Sequence, residues 1–532
     1  MAPKQSCAAY EYVVTSAGPR ILPVADVQSK DEESPADYNA GGYLPVKVGD
    51  TFKENRYIVL RKLGWGHFST VWLVRDTIAK RHSALKVVKS AGRYAETARD
   101  EIKLLSQVRD ETPDHPGRDF VVSFLDSFQQ PGPEGVHVCI VFEPLGENLL
   151  ALIERHKKTG VPPALVKVIA KQILLGLEYL HDECDLVHTD IKPENIMIAI
   201  PDAEAHIQAE LSISPSPTSR KVGVPPKQLV RTGVAIPRQA GRDRHVHIFD
   251  SQPLMSPTSA SHTSSRSFPK GMQQLSRLAS MQSSAVPDVE SHSIKPSTGP
   301  SLLSQTAPHN LTINTHTESS PRPSSPINVP SSSHAPSRST HRPPSPPPPT
   351  PLPAPISIKI ADLGNATPSQ RHYTEDIQTR QYRSPEVILG RTDWNHTADI
   401  WSAACVIFEL LTAEYLFDPQ AQGGVFGKDD DHMAQIIELL GDFTSEVKFG
   451  GRFSRELFDS TGALRYIRSL KPWPLKRVMI EKYLWNEDDT AALCEFLEPM
   501  LVVDYRKRKH ARDMKDHKWL EVDPASSELQ NW

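Results

Sequence analysis

The chain has 532 residues, 47 of them proline, with 38% hydrophobic and 23% charged residues. So many prolines do not fit one compact domain, and part of the chain is expected to be unfolded. The net charge of −4 gives no reason to expect direct binding to nucleic acid or to an anionic membrane. The five cysteines are scattered without a Cys-x-x-Cys pair, which argues against a disulfide framework or a structural zinc site and suits a reducing compartment.

Neither a membrane-spanning helix nor a secretory leader is expected. The sequence contains no apolar run of the roughly 18 residues that a membrane span needs. Its first residues, MAPKQSCAAYEYVV, lack the apolar stretch of a signal peptide.

Composition predicts two core-forming segments separated by a long insert. The insert is dominated by serine and proline, as in RPPSPPPPTPLPAP, and has only two aromatic residues, Phe249 and Phe268. Such a tract cannot bury enough apolar area to offset the entropy of ordering it. The predicted parts are a flexible N-terminal tail at 1–42, a core segment at 43–198, a disordered insert at 199–355, a second core segment at 356–520 and a C-terminal tail at 521–532.

Charge is distributed unevenly between these parts. The insert carries 14 lysines and arginines against 8 acidic residues, a net +6, which leaves −10 on the rest of the chain. The insert is therefore basic and the core-forming part is acidic. An arginine-rich substrate would need such an acidic surface, although a solvated charged face accounts for the excess equally well.

The core segments contain predicted strands first and predicted helices after them. Short β-rich runs with glycines between the first two predict a hairpin with a glycine-bearing turn. Apolar residues at helical spacing predict the helices, and the last helix is apolar nearly all round, which is typical of a buried central helix. The predicted strands are 57–64, 70–76, 83–89 and within 136–145, and the predicted helices are 95–108, 163–181 and 398–412.

Two motifs in the first strands indicate phosphate binding. GWGHFSTV places Gly64 and Gly66 between two strands, where a backbone without Cβ atoms can lie close to phosphates. Taken alone, this pattern fits a plain hairpin turn equally well. Lys86 lies inside the apolar strand ALKVV, and Glu101 on the next helix is its candidate partner. The alternative for Lys86 is an ammonium that reaches solvent at the strand edge.

A cluster of polar residues gives the most specific signal. In HTDIKPEN, Asp190 can accept a proton from an attacking hydroxyl, Lys192 can neutralise a phosphate in transfer, and Asn195 can hold a metal ion. Asp362, in the distant motif ADLG, can supply the second metal ligand. Phosphoryl transfer needs these parts, because its catalysis consists mostly of positioning and charge neutralisation. A solvated turn would explain the cluster alone, but it would not predict ADLG, SPE and DIW downstream.

The combined motifs resemble the eukaryotic serine/threonine protein kinases and, within them, the SR-protein kinases, which phosphorylate Arg-Ser-rich splicing factors. The resemblance covers nearly all of 43–198 and 356–520. It implies an α+β fold of two lobes, a small β-rich N-lobe and a large helical C-lobe, split by a long disordered insert that lets Asp190 and Asp362 meet in one cleft. The residues that carry it are KLGWGHFSTVWL (62–73), KVVKSAGRYAETARDEIKLL (86–105), HTDIKPENIMI (188–198), IADLGNA (360–366), TEDIQTRQYRSPEVILG (374–390) and LKPWPL (470–475).

The resemblance implies a role for each matching position. Asp190 is the catalytic base, Lys192 contacts the γ-phosphate of ATP, and Asn195 and Asp362 hold Mg²⁺. Further ATP-site positions are Leu63, Gly64 and Gly66 in the glycine loop, Lys86 paired with Glu101 at the α- and β-phosphates, Val71, Ala84 and Met197 around adenine, Phe142 as gatekeeper, and Glu143 and Leu145 at the hinge. The positions implied to be structural are Glu386 with Arg508, and Asp399, which anchors the catalytic loop.

Two departures from the general kinase pattern affect regulation. Leu363 replaces the usual phenylalanine after Asp362 and stays apolar, as in the SR-protein kinases. Thr189 replaces the arginine that in many kinases binds a phosphorylated activation loop. Without that cation the phosphate switch loses its partner, so we expect an enzyme that is active as synthesised.

The resemblance also implies the partners of the chain. Arg-Ser-rich proteins are the expected substrates, and Glu414, Asp431, Glu438 and Lys482 are expected to line their docking groove. Asp431 directly precedes a predicted helix at 432–441, and Glu438 lies seven residues on, about two helical turns. Their carboxylates are therefore expected to share one face, in an acidic groove open to the substrate. The insert is expected to bind partners of its own and to control distribution between cytoplasm and nucleus.

Two alternatives remain at this point. The first is a splicing-factor kinase of the LAMMER type, although its glutamate-arginine signature is absent from the SPEVILG region. The second is a pseudokinase scaffold that holds partners through its proline-rich insert. Loss of Lys86, Asp190, Asn195 or Asp362 would favour the scaffold, and all four are present.

Overall fold

The structure, a computed structural model, describes residues 10–15, 18–23, 32–214, 216–225, 244–255, 356–523 and 526–529. Within these ranges no helix is both long and apolar enough to cross a membrane.

The N-lobe is an antiparallel sheet with one long helix packed on it. Alternating buried residues in its strands, such as Val59, Trp72 and Leu85, form the core of the sheet. The elements are β1 (Tyr10–Thr15) and β2 (Gly18–Pro23), which pair with each other, then β3 (Thr51–Phe52), β4 (Tyr57–Gly66), β5 (Ser69–Asp76), β6 (Arg81–Val88), helix α1 (Gly92–Asp110), β7 (Phe124–Gly132) and β8 (Gly135–Phe142). The last six strands are hydrogen-bonded in one sheet in the order β3-β4-β5-β6-β8-β7.

The C-lobe is helical and is built around one buried helix. That helix, which runs from Thr397 to Thr412, is buried along nearly its whole length, because its sequence is apolar on every side. The C-lobe elements are α2 (Leu149–Arg155), α3 (Pro163–Glu178), β9 (Leu186–Val187), β10 (Ile196–Ile198), β13 (Ile358–Ile360), β14 (Thr367–Pro368), α5 (Pro385–Ile388), α6 (Thr397–Thr412), α7 (Lys428–Leu440), α8 (Ser445–Lys448), α9 (Ser454–Leu457), α10 (Leu475–Glu481), α11 (Glu487–Leu497) and α12 (Ala511–Met514). The predicted strands and helices are therefore confirmed, with small shifts of their ends.

The two core segments are joined by a short antiparallel strand pair. Strand β10 pairs with β13, with Ile196 opposite Ile360. At the outer end of this pair the Ala199 N–H donates to the Ser357 carbonyl at 2.8 Å. The chain therefore leaves the C-lobe and rejoins it at neighbouring positions, which satisfies the expectation that the insert interrupts one domain.

The first part of the insert is folded, which corrects the expectation of disorder from residue 199. It contains helix α4 (Ala203–Ile213) and the hairpin strands β11 (Ser219–Gly223) and β12 (His245–Phe249). Ile207 of α4 is fully buried in a cluster with Leu73 of the N-lobe. The Glu210 carboxylate accepts a hydrogen bond from Arg61 at 2.6 Å. An argument from average composition does not detect such local anchors. For residues 215, 226–243 and 256–355 the prediction of disorder lies outside the described residues.

Parts of both predicted tails are also packed. Glu33 is fully buried and receives the ammonium of Lys62, itself fully buried, while Tyr38 is 2% exposed. Near the C-terminus, the Glu528 carboxylate accepts a hydrogen bond from the Ala164 N–H at 3.1 Å. The boundary of the folded part at 43 is therefore wrong, because residues 32–42 bury charged and aromatic side chains against the N-lobe.

The docking of α4 can be tested with two isoleucines of the same helix. Ile207→Ala should lower the free energy for local opening of α4 by about 2–5 kcal/mol, because it leaves a cavity in a buried cluster. Ile213→Ala is the matched control, since Ile213 is 80% exposed, and it should change that free energy by less than about 0.5 kcal/mol. Native-state hydrogen exchange of the α4 amides measures both. Equal protection in the two variants would show that α4 does not pack on the N-lobe.

Candidate active site

The ion pair expected in the N-lobe is present. Lys86 on β6 places its ammonium 2.7 Å from the Glu101 carboxylate on α1 and 3.6 Å from Asp362. Burial opposes the charge of Lys86, but Glu101 and Asp362 outweigh burial and raise the pKa of the lysine above its ordinary value. Lys86 therefore stays cationic, in a position between the sheet and the second half of the domain. The alternative of an ammonium that reaches solvent at a strand edge does not hold.

Asp399, on the central helix α6, anchors the loop 188–195 that contains Asp190. Its carboxylate, which is fully buried, accepts hydrogen bonds from the His188 N–H at 2.7 Å and the Thr189 N–H at 2.9 Å. His181 Nε2 donates to the same carboxylate at 2.9 Å. Burial alone would raise the pKa of Asp399, but these donors lower it below the ordinary value. The anchor predicted from the sequence therefore fixes the backbone directly before Asp190.

Asp190 and Lys192 form a compact pair that already binds a hydroxyl. The Lys192 ammonium lies 2.6 Å from the Asp190 carboxylate. The Thr379 hydroxyl donates to Asp190 at 2.7 Å and accepts from Lys192 at 3.0 Å. Burial would raise the pKa of Asp190, but Lys192 and the Thr379 hydroxyl lower it. At neutral pH the carboxylate is thus ionised and able to accept a proton.

Asn195 and Asp362 come together because of the β10–β13 pair. Asn195 immediately precedes β10, and its carbonyl accepts the Ala361 N–H at 2.8 Å, one residue before Asp362. The Asn195 amide nitrogen donates to the Asp190 carbonyl at 2.9 Å, which leaves its amide oxygen as a possible ligand. An amide oxygen and a carboxylate are ligands that Mg²⁺ accepts.

The donor set fits a magnesium ion that shares its ligands with phosphates. In the part of the chain that the structure describes, no three His, Cys, Asp or Glu side chains form a metal site by themselves. Mg²⁺ is commonly bound by one or two protein groups together with phosphate oxygens and water. Asn195 and Asp362 would hold the ion in that way.

Most of the positions predicted to surround a nucleotide lie on neighbouring strands of the N-lobe sheet. Val71 stands opposite both Gly64 and Lys86, and Ala84 stands opposite Phe142 at the end of β8. The remaining predicted positions are Leu63 on β4, Glu143 and Leu145 directly after β8, Gly66 at the end of β4, and Met197 on β10, which forms a bridge to Asn148.

The glycine loop and the hinge leave room for ATP. A Cβ atom added at Gly64 or Gly66 would meet nothing within 4 Å, so the loop borders open space. The Leu145 N–H has no hydrogen-bond acceptor among the described residues. The loop leaves room for phosphates, and the hinge leaves a backbone donor for a base.

Three strained residues gather at this site. Thr189, Asp362 and Gln378 have φ angles of 69°, 63° and 66°, in the left-handed region that side chains other than glycine rarely adopt. Such strain costs about 1–3 kcal/mol at each residue and persists only where the surroundings enforce it. Here the Gln378 N–H donates to the Thr189 carbonyl at 2.9 Å, so two of the three hold each other.

The activation segment, residues 362–386, is held by protein groups. The buried Gln378 amide donates to the Ala398 carbonyl and to the Ser402 hydroxyl, both at 2.9 Å. Its amide oxygen accepts the Ser384 N–H at 2.9 Å. The Thr189 hydroxyl donates to the Asn365 carbonyl at 2.9 Å. These bonds order the segment without a phosphate group.

A buried ion pair closes the end of the activation segment, as the sequence predicts. Arg508 and Glu386 are 2% and 1% exposed and form two parallel bonds of 2.7 and 2.8 Å. The arginine also donates to the Thr397 carbonyl at 3.0 Å. Bidentate geometry of this kind suits arginine, and lysine cannot reproduce it.

Comparisons with known proteins agree with this geometry. The protein kinase domain family matches residues 57–208 and 353–520. Protein kinase dsk1 of Schizosaccharomyces pombe is 43% identical, over 92% of this chain and 85% of the relative. SRSF protein kinase 3 of Homo sapiens is 41% identical over 92% of this chain and 90% of the relative, and the serine/threonine-protein kinase SKY1 of Saccharomyces cerevisiae is 37% identical over 95% and 80%.

The chain belongs to the SR-protein kinase family of protein kinases. It is a serine/threonine protein kinase, and this assignment takes the place of the LAMMER-type alternative. A crystal structure of a kinase domain, 20% identical, aligns with a TM-score of 0.53 over 90% of this chain and 99% of that one, which shows the fold.

The predicted docking face of the kinase needs correction. Asp431 and Glu438 are 0% and 1% exposed, so their carboxylates do not lie on an exposed face. Asp431 accepts the Gln420 N–H at 2.9 Å, and Glu438 accepts the Lys471 N–H at 2.8 Å. The seven-residue spacing does place them on one side of α7, but that side faces other loops.

The other two predicted docking residues lie nearer the surface. Glu414 is more than half exposed and forms an ion pair of 2.7 Å with the Lys482 ammonium. The Tyr483 hydroxyl also donates to Glu414 at 3.2 Å. Their part in docking stays a prediction.

Sequence reasoning missed residues that hold the site through backbone contacts. Gln378 and Thr379 belong to the quoted motif TEDIQTRQYR, yet nothing in one sequence separates them from other polar residues of a loop. His181, which donates to Asp399, is the last residue of the predicted helix 163–181, where a polar residue is ordinary. An unusual φ angle is what distinguishes Gln378, and a single sequence does not reveal it.

The activation segment yields a direct test. Kinase made in bacteria and treated with phosphatase should phosphorylate a peptide as fast as before treatment, because Thr189 offers no cation for a phosphate. Gln378→Ala should lower that rate at least about tenfold, since it leaves buried backbone and side-chain groups of the segment unpaired. Gln370→Ala, on an exposed part of the same segment, is the control and should change little. A large loss of activity on dephosphorylation would contradict the interpretation.

Proposed function

We propose that this kinase transfers the γ-phosphate of ATP, with Mg²⁺, to serine residues in Arg-Ser-rich proteins. The observation that carries the chemistry is the Asp190–Lys192 pair, which already holds the Thr379 hydroxyl between a carboxylate and an ammonium. A substrate hydroxyl in that position would face an ionised base and a cation together.

Each residue of the site has a defined task in this reaction. Asp190 orients the serine hydroxyl and accepts its proton as the bond to phosphorus forms. Lys192 neutralises charge on the transferring group, and Lys86, held by Glu101, binds the α- and β-phosphates. Bound Mg²⁺ would bridge the phosphate oxygens and offset their negative charge. Asn195 and Asp362 would position that ion.

The substrate class rests on charge and on relatives. One of the reported relatives, from Homo sapiens, carries the name SRSF protein kinase 3. The chain outside the 199–355 insert carries −10, and guanidinium groups bind carboxylates by two parallel hydrogen bonds. Arginine-rich segments are therefore a better match for this kinase than neutral or acidic ones.

Purified full-length kinase tests the proposal with two peptides. An Arg-Ser repeat should be phosphorylated on serine in the presence of ATP and Mg²⁺, with a kcat/KM at least about tenfold above that of a Lys-Ser repeat of equal length, because lysine lacks the bidentate fork. Raising the salt concentration should reduce the difference in kcat/KM between the two peptides, since salt screens exposed charges. Equal rates for the two peptides would remove arginine recognition from the proposal.

Variants of the same protein separate chemistry from substrate choice. Asp190→Ala and Asp362→Ala should each lower turnover at least about a hundredfold, as should removal of Mg²⁺ by a chelator. Asp488→Ala, at an exposed position of α11, is the control. Wild-type turnover in the Asp362→Ala variant would refute the metal assignment, and an inactive wild-type chain that still binds partners would favour the scaffold alternative.

We also propose that the insert controls distribution between cytoplasm and nucleus. Support comes from its net charge of +6 and its Ser-Pro pairs, including those that begin at 256, 320, 325 and 345. Replacing 256–355 by a short linker spares the packed part of the insert, so peptide phosphorylation should stay within about twofold while the distribution of a fluorescently tagged kinase shifts in cells. An unchanged distribution would count against this role.

A further inference from the structure

Two pieces of chain outside the kinase-domain match pack on each other beside the N-lobe. One is the segment 32–43, and the other is the β11–β12 hairpin of the insert. Tyr38, Tyr43, Val246 and Ile248, all 3% exposed or less, form one buried cluster between them. The Asn39 amide adds a hydrogen bond of 2.9 Å to the Pro225 carbonyl. The cluster is thus an ordered support built from the N-terminal segment and the first part of the insert.

This support reaches the glycine loop through one side chain. The Tyr43 hydroxyl donates to the Gly66 carbonyl at 2.6 Å. Burial, with Asp37 and Glu33 adding to it, raises the pKa of Tyr43 above its ordinary value, so the phenol keeps its proton and acts as the donor.

Several contacts fix the ring that carries this hydroxyl. The Tyr38 ring lies 5.6 Å away between centroids, and the Lys89 ammonium sits 4.2 Å from the centre of the Tyr43 ring. The Tyr43 N–H donates to the Asp37 carbonyl at 2.8 Å. Because these contacts fix the Tyr43 ring, a shift of the surrounding cluster would also shift its hydroxyl and the Gly66 carbonyl bound to it.

The glycine loop needs such an outside restraint. Gly64 and Gly66 have no side chain to pack, and glycine loses more conformational freedom on ordering than any other residue. Gly66 is exposed and lies at the end of β4, opposite Ser69. The neighbouring Phe68 carbonyl accepts the Lys89 N–H at 2.9 Å. The turn is therefore fixed at Phe68 from β6 and at Gly66 from Tyr43.

A second set of bonds stiffens the support at the other end of the loop. The buried Lys62, two residues before Gly64, pairs with Glu32 and with Glu33. The Gln252 N–H, just after the hairpin, donates to the Lys62 carbonyl at 2.8 Å. The Lys62 end of the glycine-bearing turn is thus tied to the N-terminal segment and to the chain just after the hairpin. The Gly66 end is tied directly to the N-terminal segment through Tyr43.

We propose that Tyr43 is a positioning residue for the nucleotide, and that the β11–β12 hairpin acts on nucleotide affinity through it. The hydroxyl of Tyr43 holds the Gly66 carbonyl, so that the loop backbone is arranged for phosphates before they bind. Binding then costs less ordering of the loop. This inference rests on the proposed function, in which ATP is the phosphate donor.

Two tyrosines of the same cluster provide a matched test in the full-length kinase. Tyr43→Phe removes the bond to Gly66 and keeps the ring. It should raise the KM for ATP and the Kd of a fluorescent ADP analogue by about threefold to tenfold, the worth of one hydrogen bond, while kcat changes less than about twofold. Tyr38→Phe removes a hydroxyl that donates to Glu33 but leaves the pair of Glu33 with Lys62 in place, so both constants should stay within about twofold.

The comparison separates positioning from a loss of stability. The melting temperature of the Tyr43→Phe variant should fall no further than that of Tyr38→Phe, while only the former weakens nucleotide binding. Unchanged KM and Kd in Tyr43→Phe, or equal increases in both variants, would overturn the positioning role. A wild-type kinase that binds neither ATP nor the ADP analogue would overturn the proposed function and this inference with it.

A double-mutant cycle tests the part of the hairpin. Ile248→Ala loosens the support and should raise the KM for ATP in the wild-type background by about the same factor as Tyr43→Phe. In the Tyr43→Phe background it should add less than about twofold, because the connection is already cut. Additive effects, or no effect of Ile248→Ala in either background, would remove the hairpin from the inference and leave Tyr43 as a local contact.

Discussion

The active site depends on the three-residue pairing of β10 with β13. The pairing is short, yet all four of its terminal isoleucines, Ile196, Ile198, Ile358 and Ile360, are fully buried. Burial of each such side chain stabilises the fold by about 1.5–3 kcal/mol. The four isoleucines together therefore contribute more than the few hydrogen bonds between the two strands. The register of this pair sets the relative positions of the two predicted metal ligands. A slip by one residue would turn every side chain of the pair to the opposite face and separate those ligands.

Around this pair the domain keeps its buried charges in matched sets. Asp399 is matched by backbone N–H groups and a histidine, Glu386 by Arg508, and Lys86 by Glu101. Removing one partner of a buried pair is strongly destabilising, by about 3–5 kcal/mol, because the other charge is left without compensation. These matched charges therefore hold the residues of the active site in a single arrangement. Asp431 is a further acidic residue of this interior, since it is buried and accepts a backbone hydrogen bond from Gln420.

The sequence was sufficient for the architecture and for the catalytic constellation. Periodicity located the strands and helices of the core. The two-lobed architecture and the roles of Asp190, Lys192 and Asn195 came from the resemblance of their motifs to those of protein kinases. Sequence reasoning failed where burial depends on tertiary neighbours. The seven-residue spacing of Asp431 and Glu438 defines a helix face but does not say which way that face points. Ile207 and Tyr38 are single anchors inside polar stretches, and an average over such a stretch conceals them. Gln378 acts through an unusual backbone angle, which depends on contacts distant in sequence.

The neighbouring positions of Ala199 and Ser357 have a consequence for how this chain can change in length. A segment whose ends are fixed close together acts as a side branch of the domain. The entropy of closing a flexible branch grows so slowly that doubling its length costs only about 0.6 kcal/mol. A change of length between Ala199 and Ser357 therefore leaves the β10–β13 pairing in place, whereas one residue added between Asn195 and Ile198 would shift the register of β10. The stretch of chain between Ala199 and Ser357 offers protein engineers a point at which to insert a foreign domain, such as a fluorescent reporter or a light-sensitive module, into a working kinase.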